Sequence, residues 1–280
     1  MKSLLIAALF ILQSTLVFAK DLRTFSQVGE YEAVGRIQAI LPSDYASYGI
    51  SLSKDLVRLH EENESKGLST YYSFCSATLI QANKILTAAH CIAQMREFQY
   101  LGLRVFFVPN TRENISVQIA GVARAGDINS DRRFADDWAI LTLQNDITSI
   151  KPLKLMRLAP QQYFTTELVS VGYPDEAQRK TLHGLQQTQS RCYFRTAEEI
   201  AGKFKDEPRF VRASFTNCSI SGGNSGGPLL FLYQDENGPA LGIAGINVGG
   251  VNSLLHKLKF KSDYDKGVAT SSSWILDHLQ

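Results

Sequence analysis

The chain has 280 residues, of which 44% are hydrophobic, and its 29 basic and 27 acidic side chains leave a net charge of +2. This length allows one large domain or two small ones, with enough apolar residues for a sizeable core. The sequence contains no basic block, which argues against nucleic-acid binding, and the charge balance is typical of a solvated, mixed surface.

The N-terminal segment predicts export. Residues 1–19 combine Lys2, a long apolar stretch and Ala19, which is the arrangement of a secretory signal peptide cleaved after Ala19. A membrane anchor is the alternative, but the apolar stretch is short for a bilayer span and contains Gln13. We therefore expect a secreted or periplasmic protein of residues 20–280, with no membrane span after cleavage.

Short apolar runs, separated by Gly, Pro, Asn and Asp, make up most of the remaining chain. In chain order they are AVGRIQAI, SATLI, KILTAA, LRVFFV, ISVQIAGVA, WAILTL, ELVSVGY, PLLFLY and LGIAGINVG. Runs of this length, rich in Val, Ile, Leu and Phe and without long helices between them, predict an all-β barrel or sandwich. Two stretches look helical: SKDLVRLHEENES from Ser53, and the C-terminal SSSWILDHLQ, whose serines suit an N-cap.

The predicted export indicates the oxidation state of the four cysteines. An even number of cysteines in an oxidising compartment favours disulfides, here with three possible pairings among Cys75, Cys91, Cys192 and Cys218. A zinc site is the alternative, and the absence of a CxxC pair argues against a metal.

The segment SISGGNSGGPLL, residues 219–230, places two glycine pairs around Asn224 and Ser225. A phosphate loop would need a following helix and a lysine, whereas Pro228 and the apolar run after it predict a strand. The same strand excludes the nucleophile elbow of lipases, which leads into a helix. The remaining interpretation is a serine on a tight turn, where Gly223 allows main-chain N–H groups to converge on an oxyanion.

A nucleophilic serine needs a base, and the base needs a carboxylate that orients it. His90 ends the apolar run KILTAAH and is the candidate base. Asp137 heads the run WAILTL, so its carboxylate should be buried and need a partner, while Asp136 is expected to face solvent. The other four histidines lie in polar or helical surroundings and are expected at the surface: His60, His183, His256 and His278.

The motifs LTAAHC (86–91), DWAIL (137–141) and GGNSGGP (222–228), in this order, resemble those of the trypsin-like, or chymotrypsin-fold, serine endopeptidases. The tail KGVATSSSWILDHL also resembles the final strand and C-terminal helix of that family. The resemblance implies an all-β fold of two six-stranded antiparallel β-barrels, with the active site in the cleft between them and a C-terminal helix. It further implies a monomeric hydrolase that cleaves proteins or peptides without a cofactor.

By position, the resemblance implies that Ser225 is the nucleophile, that His90 is the general base and then the general acid, and that Asp137 orients it. The main-chain N–H groups of Gly223 and Ser225 would form the oxyanion hole. A catalytically silent protease-fold protein that binds a partner is the alternative, but such proteins usually lack a member of the triad.

The resemblance also implies two disulfides. One would join Cys75 to Cys91 and clamp the strand that holds His90, and the other would join Cys192 to Cys218.

Several positions differ from the family pattern. Asn224 stands where most animal digestive relatives have Asp, and GNSGGP with GINVGGV resembles a bacterial branch that includes the glutamyl endopeptidases. That branch has a histidine at the position of Asn247, and Ser219 lies at the base of the primary pocket, where trypsin has Asp. Neither a tryptic nor a glutamyl preference follows. Val248 stands where many relatives have a serine that hydrogen-bonds to the buried Asp.

Overall fold

The computed structural model describes residues 24–48, 54–174, 187–195, 212–250 and 267–279. It is mostly β, with two barrel-like sheets and a short C-terminal helix. The predicted fold class is confirmed. The predicted signal peptide lies outside the described residues.

The strands, in chain order, are β1 (Thr24–Phe25), β2 (Val34–Leu41), β3 (Thr70–Gln81), β4 (Lys84–Thr87), β5 (Val105–Pro109), β6 (Val117–Ala125), β7 (Ala139–Leu143), β8 (Lys154–Leu155), β9 (Leu168–Gly172), β10 (Thr188–Cys192), β11 (Phe194–Arg195), β12 (Ser214–Thr216), β13 (Pro228–Asp235), β14 (Gly238–Gly250) and β15 (Gly267–Ser271). The helices are a 3-10 turn (Tyr45–Tyr48), α1 (Lys54–Ser65), α2 (His90–Tyr100) and α3 (Ser272–Leu279).

Six strands close into the first barrel, in the order β2-β3-β4-β7-β6-β5. All its ladders are antiparallel, so apolar side chains from each strand meet inside it. Fully buried members of this core include Ile37, Leu79, Ile85 and Phe107.

The second sheet differs from a closed six-stranded barrel. Its order is β1-β10-β9-β13-β14-β15-β12-β11, with β8 added in parallel to β14. Within the described part of the chain it is a half-barrel of nine strands, because β1 and β11 end its two edges without pairing with each other. The core continues from the first barrel into this sheet through buried residues such as Val171, Leu230 and Ile246.

Two helices flank the proposed motifs. The helix α2 was not expected, although its buried residues Cys91, Ile92, Met95 and Phe98 follow a helical spacing. The start of α3 matches the expected serine cap, because the N–H of Trp274 donates to Oγ of Ser271 at 3.2 Å. No helix among the residues described is long and apolar enough to cross a membrane.

Candidate active site

His90 and Asp137 lie together at one end of the first barrel. His90 follows β4 and begins α2, and Asp137 precedes β7, which pairs with β4. Nδ1 of His90 is 2.7 Å from Oδ2 of Asp137, and the main-chain N–H of His90 donates to Oδ1 at 2.8 Å. The pairing of β4 with β7 therefore joins two motifs that are 47 residues apart.

The contact with Asp137 sets the tautomer of the His90 imidazole. Only 4% of the carboxylate side chain is exposed, against 34% of the imidazole. Because an ionised carboxylate can only accept hydrogen bonds, Nδ1 carries a proton. In the neutral ring Nε2 is then an unprotonated acceptor.

Thr270, in β15, holds the loop that carries the carboxylate. Its Oγ1 donates to the main-chain oxygen of Phe134 at 2.7 Å and lies 3.4 Å from that of Asp137. Val248, at the position where many relatives have a serine, is buried and has no hydroxyl to offer Asp137. Thr270 therefore contacts the main-chain oxygen of Asp137, and Val248 gives its carboxylate no hydrogen bond.

In the turn at residues 223–227, most main-chain N–H groups are hydrogen-bonded to other parts of the main chain. Three N–H groups donate to main-chain oxygens: Asn224 to Ser221 at 3.2 Å, Gly226 to Asn247 at 2.7 Å and Gly227 to Asn224 at 2.9 Å. The N–H groups of Gly223 and Ser225 donate to no residue that the structure describes. Gly223 has a φ of +85°, a conformation that favours glycine.

Contacts with β3 and β4 hold this turn against the first barrel. The carbonyl of Ser225 accepts a hydrogen bond from the N–H of Ser76 at 2.8 Å, and Oγ of Ser76 donates to the carbonyl of Gly223 at 2.8 Å. Gly226 has a φ of +81°, and a Cβ at this position would collide with Oγ1 of Thr87. The turn therefore lies directly against the strand that leads to the predicted base.

The side chain of Ser225 is half-buried. Its Oγ makes no hydrogen bond with any described residue, His90 included. In unliganded enzymes the bond between nucleophile and base is often long, and it tightens when substrate binds.

Ser219 and Asn247, the predicted pocket residues, are both buried. The N–H of Ser219 donates to Oγ of Ser190 at 3.3 Å, and its hydroxyl has no partner within the described chain. The amide nitrogen of Asn247 donates to Oγ of Ser170 at 2.9 Å and to the carbonyl of Gly227 at 3.1 Å. Neither side chain brings a formal charge to this region.

The structure contains the disulfides Cys75–Cys91 and Cys192–Cys218, the pairing that the resemblance implied. The first joins β3 to α2 beside His90, and the second joins β10 to the segment that precedes the predicted pocket. One ring nitrogen of His90 and the two sulfur atoms of the first disulfide lie within 4.8 Å of one another. Sulfur atoms in a disulfide offer no thiolate to a metal ion.

Asp136 is buried, so the expectation that it faces solvent is wrong. Its Oδ1 accepts a hydrogen bond from Nε1 of Trp274 at 3.0 Å, and its Oδ2 accepts one from Oγ of Ser130 at 2.6 Å. Nε of Arg132 lies 3.6 Å from the same carboxylate. Trp274 belongs to α3, so the C-terminal helix packs on the loop beside Asp137 and covers its neighbour.

One of the other histidines is also not where it was expected. His60 is buried, with its ring edge-on to Tyr45 at 5.0 Å between centroids, whereas a surface position was predicted. His278 is half-buried. His183 and His256 lie outside the described residues.

Sequence reasoning missed Ser76 and Thr270. Each is a hydroxyl side chain inside a mostly apolar strand segment, FCSATLI for Ser76 and GVATS for Thr270. A buried hydroxyl needs a hydrogen-bond partner, so its presence in such a strand was a usable signal.

The chain was compared with known families and structures. A family model described as trypsin matches residues 58–275. The fold is similar to that of "Secreted serine protease VesC from Vibrio cholerae", with a TM-score of 0.58 and 16% identity over 92% of this chain and 47% of that chain. It is also similar to neuropsin, a serine protease expressed in the limbic system of mouse brain, with a TM-score of 0.55 and 13% identity over 92% of this chain and 99% of that chain. The chain spans about half the length of VesC, and at these identities the structural likeness shows the fold alone.

Proposed function

Because the chain belongs to the trypsin family of serine proteases, we propose that it is an exported serine endopeptidase with Ser225, His90 and Asp137 as its catalytic triad. One juxtaposition carries the proposal. The hydrogen-bonded His90–Asp137 pair lies near a turn in which the N–H groups of Gly223 and Ser225 donate to no described residue. An imidazole with an unprotonated Nε2 can take a proton from a serine, and two converging N–H groups can stabilise an oxyanion.

The first half of the proposed reaction forms an acyl-enzyme. Oγ of Ser225 attacks the carbonyl carbon of the scissile peptide bond while Nε2 of His90 takes its proton. The N–H groups of Gly223 and Ser225 bind the oxyanion of the tetrahedral intermediate. His90 then gives the proton to the leaving amine as the C–N bond breaks, and buried Asp137 stabilises the imidazolium.

The second half hydrolyses the acyl-enzyme. His90 takes a proton from a water molecule, which attacks the acyl carbon through a second tetrahedral intermediate in the same oxyanion hole. The bond to Oγ of Ser225 breaks, His90 returns the proton to this oxygen, and the new carboxylic acid leaves.

We place the primary specificity pocket at Ser219 and Asn247, from their positions in the motif. Both side chains are neutral and buried, so neither would offer a compensating charge to a substrate Lys or Arg that is buried beside them. The proposed preference is therefore for uncharged or small polar side chains. The likeness to the glutamyl-endopeptidase branch stays a prediction, since Asn247 replaces the histidine of that branch.

Export is supported by the predicted signal peptide at residues 1–19 and by two disulfides, which form in oxidising compartments. VesC is described as a secreted protease, which agrees with this proposal. Cleavage after Ala19 would release the protease as residues 20–280, which we expect to act as a monomer on protein or peptide substrates.

A catalytically silent binding protein is the second candidate, and it is favoured by the hydroxyl of Ser225, which makes no hydrogen bond with a described residue. Labelling with a fluorophosphonate probe separates the two, because the probe reacts only with an activated serine. The exported protein should label at Ser225 and cleave a peptide library. Ser225→Ala should abolish labelling and lower the rate by about 10⁴–10⁶-fold without changing the unfolding temperature.

Ser65→Ala, on the exposed face of α1, is the control and should label like the wild-type protein. Labelling that persists in Ser225→Ala would show that the nucleophile is another residue. A folded wild-type protein that neither labels nor cleaves would support the binding protein, and strong selectivity for Arg would contradict the neutral pocket.

A further inference from the structure

The main chain of Ser76 connects the two parts of the proposed active site. Ser76 is fully buried in β3. Its N–H donates to the carbonyl of Ser225 at 2.8 Å, and its carbonyl accepts a hydrogen bond from Oγ1 of Thr87 at 2.7 Å. Thr87 ends β4, from which the chain continues to His90. One residue therefore contacts both the strand that leads to the base and the turn that carries the nucleophile.

The hydroxyl of Ser76 makes a separate pair of contacts. It accepts a hydrogen bond from the N–H of Tyr173 at 2.9 Å and donates one to the carbonyl of Gly223 at 2.8 Å. Tyr173 directly follows β9 of the half-barrel. Because a serine hydroxyl has one proton and the Tyr173 N–H already points at its oxygen, that proton is available to the Gly223 carbonyl.

This bridge controls the orientation of one peptide group. The carbonyl of Gly223 and the N–H of Asn224 belong to the same peptide plane, and that N–H donates to the carbonyl of Ser221 at 3.2 Å. The plane is thus held at both ends. It lies between the peptide that carries the N–H of Gly223 and the peptide that carries the N–H of Ser225, so its orientation fixes the backbone dihedral angles at Gly223 and Asn224 that relate the directions of these two groups.

We propose that Ser76 is a positioning residue for the oxyanion hole, in which its hydroxyl holds the Gly223–Asn224 peptide so that the two flanking N–H groups converge on the substrate oxyanion. This inference rests on the proposed function and deepens it. Ser76 does not touch the reacting atoms and acts through the main chain of the turn.

A matched pair of variants tests the hydroxyl. Ser76→Ala removes the bridge, whereas Thr78→Val removes a hydroxyl from a residue two positions along β3, which is equally buried and whose Oγ1 has no partner within the described chain. The two changes delete the same chemical group from one face of one strand. Of these two hydroxyls, only that of Ser76 is hydrogen-bonded to the turn within the described part of the chain.

The first measurement separates positioning of the oxyanion hole from substrate binding. Removal of a hydrogen-bond donor that contacts the oxyanion directly lowers kcat by about 10²–10³-fold. Ser76→Ala removes only the hydroxyl that positions such a donor, so kcat should fall by about 10- to 100-fold. KM and the affinity for a peptide amide should stay within about 2-fold. The affinity for the matching peptide aldehyde, whose adduct places an oxygen in the oxyanion hole, should fall with kcat.

The second measurement does not depend on activity. Amide hydrogen exchange in a peptide covering residues 219–230 should be at least about 10-fold faster in Ser76→Ala and unchanged in Thr78→Val. Unchanged exchange in Ser76→Ala, or equal effects of the two substitutions, overturns the inference. The wild-type protein could also fail to react with the fluorophosphonate probe while Ser76→Ala still exchanges faster than wild type. That result would support the bridge and contradict only the proposed function.

A second pair covers the case in which Ser76→Ala does not fold. Ser76→Thr and Ser76→Val introduce side chains of nearly the same shape, and only threonine carries a hydroxyl. Thr should retain slow exchange and a kcat at least about 10-fold above that of Val. Equal kcat and equal exchange in the two variants would overturn the inference.

Discussion

Asp136 and Asp137 are adjacent in the chain, but their carboxylates have different partners. Asp137 binds both the ring and the main chain of His90, whereas Asp136 joins Trp274 of α3 to the loop before β7. Both side chains are buried, so burial alone does not distinguish the proposed catalytic carboxylate from the structural one. Their hydrogen-bond donors do.

Replacing each carboxylate by its amide should separate these roles. In Asp137→Asn the side-chain nitrogen would face Nδ1 of His90 and favour the tautomer with its proton on Nε2, so kcat should fall by about 10⁴-fold with little change in stability. In Asp136→Asn the amide oxygen can still accept from Trp274 and the nitrogen can donate to the Ser130 hydroxyl, so only the charge beside Arg132 is lost, and the free energy of unfolding should fall by about 1 kcal/mol or less. Kinetics and urea unfolding of both variants test this ranking, and a larger kcat loss in Asp136→Asn would contradict the assignment.

At the scale of elements, the turn at residues 223–227 and the strand β4 approach so closely that one position allows no side chain. Gly226 has a positive φ, and a Cβ there would collide with Oγ1 of Thr87 and the carbonyl of Ser76. Gly102, after α2, has a similar φ of +76° but open space around it. The two glycines therefore share the conformational requirement and differ in the contact.

We expect Gly226→Ala to lower activity by about 10²-fold or more, because displacement of the turn by about 1 Å misplaces Ser225 relative to His90. In Gly102→Ala the free energy of unfolding should fall by about 1–2 kcal/mol, which is the cost of placing alanine in a left-handed conformation, and the activity should not change. Steady-state kinetics and thermal unfolding of the two variants check this. Equal loss of activity in both would mean that the close approach of turn and strand does not matter.

At the scale of the whole molecule, Arg36 of the first barrel and Tyr173 of the half-barrel meet across the boundary between the two sheets. The guanidinium lies 5.6 Å from the centroid of the Tyr173 ring. Burial raises the pKa of Tyr173 to about 12, and the nearby Arg36 cation offsets only part of this rise. The side chains of Arg36 and Gln187 lie near the hydroxyl without making a hydrogen bond of normal geometry.

Stability should therefore fall in alkali. An unfolded tyrosine loses its proton near pH 10, below the pKa of folded Tyr173, so above about pH 10 the unfolded state binds fewer protons and unfolding becomes more favourable. By about pH 11 this residue should account for a loss of about 1 kcal/mol. Urea unfolding of the wild-type protein and Tyr173→Phe at about pH 8 and 11 measures it, because the other tyrosines are common to both proteins. An equal alkaline loss in the two proteins would contradict the prediction.

The sequence by itself determined much of the secondary structure and predicted the residues of the candidate site. Apolar runs such as KILTAA and PLLFLY became β4 and β13, because alternating and continuous apolar patterns are local properties that a strand must satisfy. The glycines around Ser225 also predicted a tight turn, and glycine tolerates the positive φ values found at Gly223 and Gly226. The order of the three motifs indicated the family before any contact was known.

Only the tertiary structure decided which groups meet. The burial of Asp136 depends on α3, which lies 138 residues further along the chain, and the Ser76 hydroxyl finds Gly223 across 147 residues. The nine-stranded half-barrel likewise results from β1 pairing with β10, far along the chain. Hydrogen-bond partners at such distances are chosen by packing of the whole chain, and no local pattern encodes them, so a sequence shows which side chains need a partner but not which partner they find.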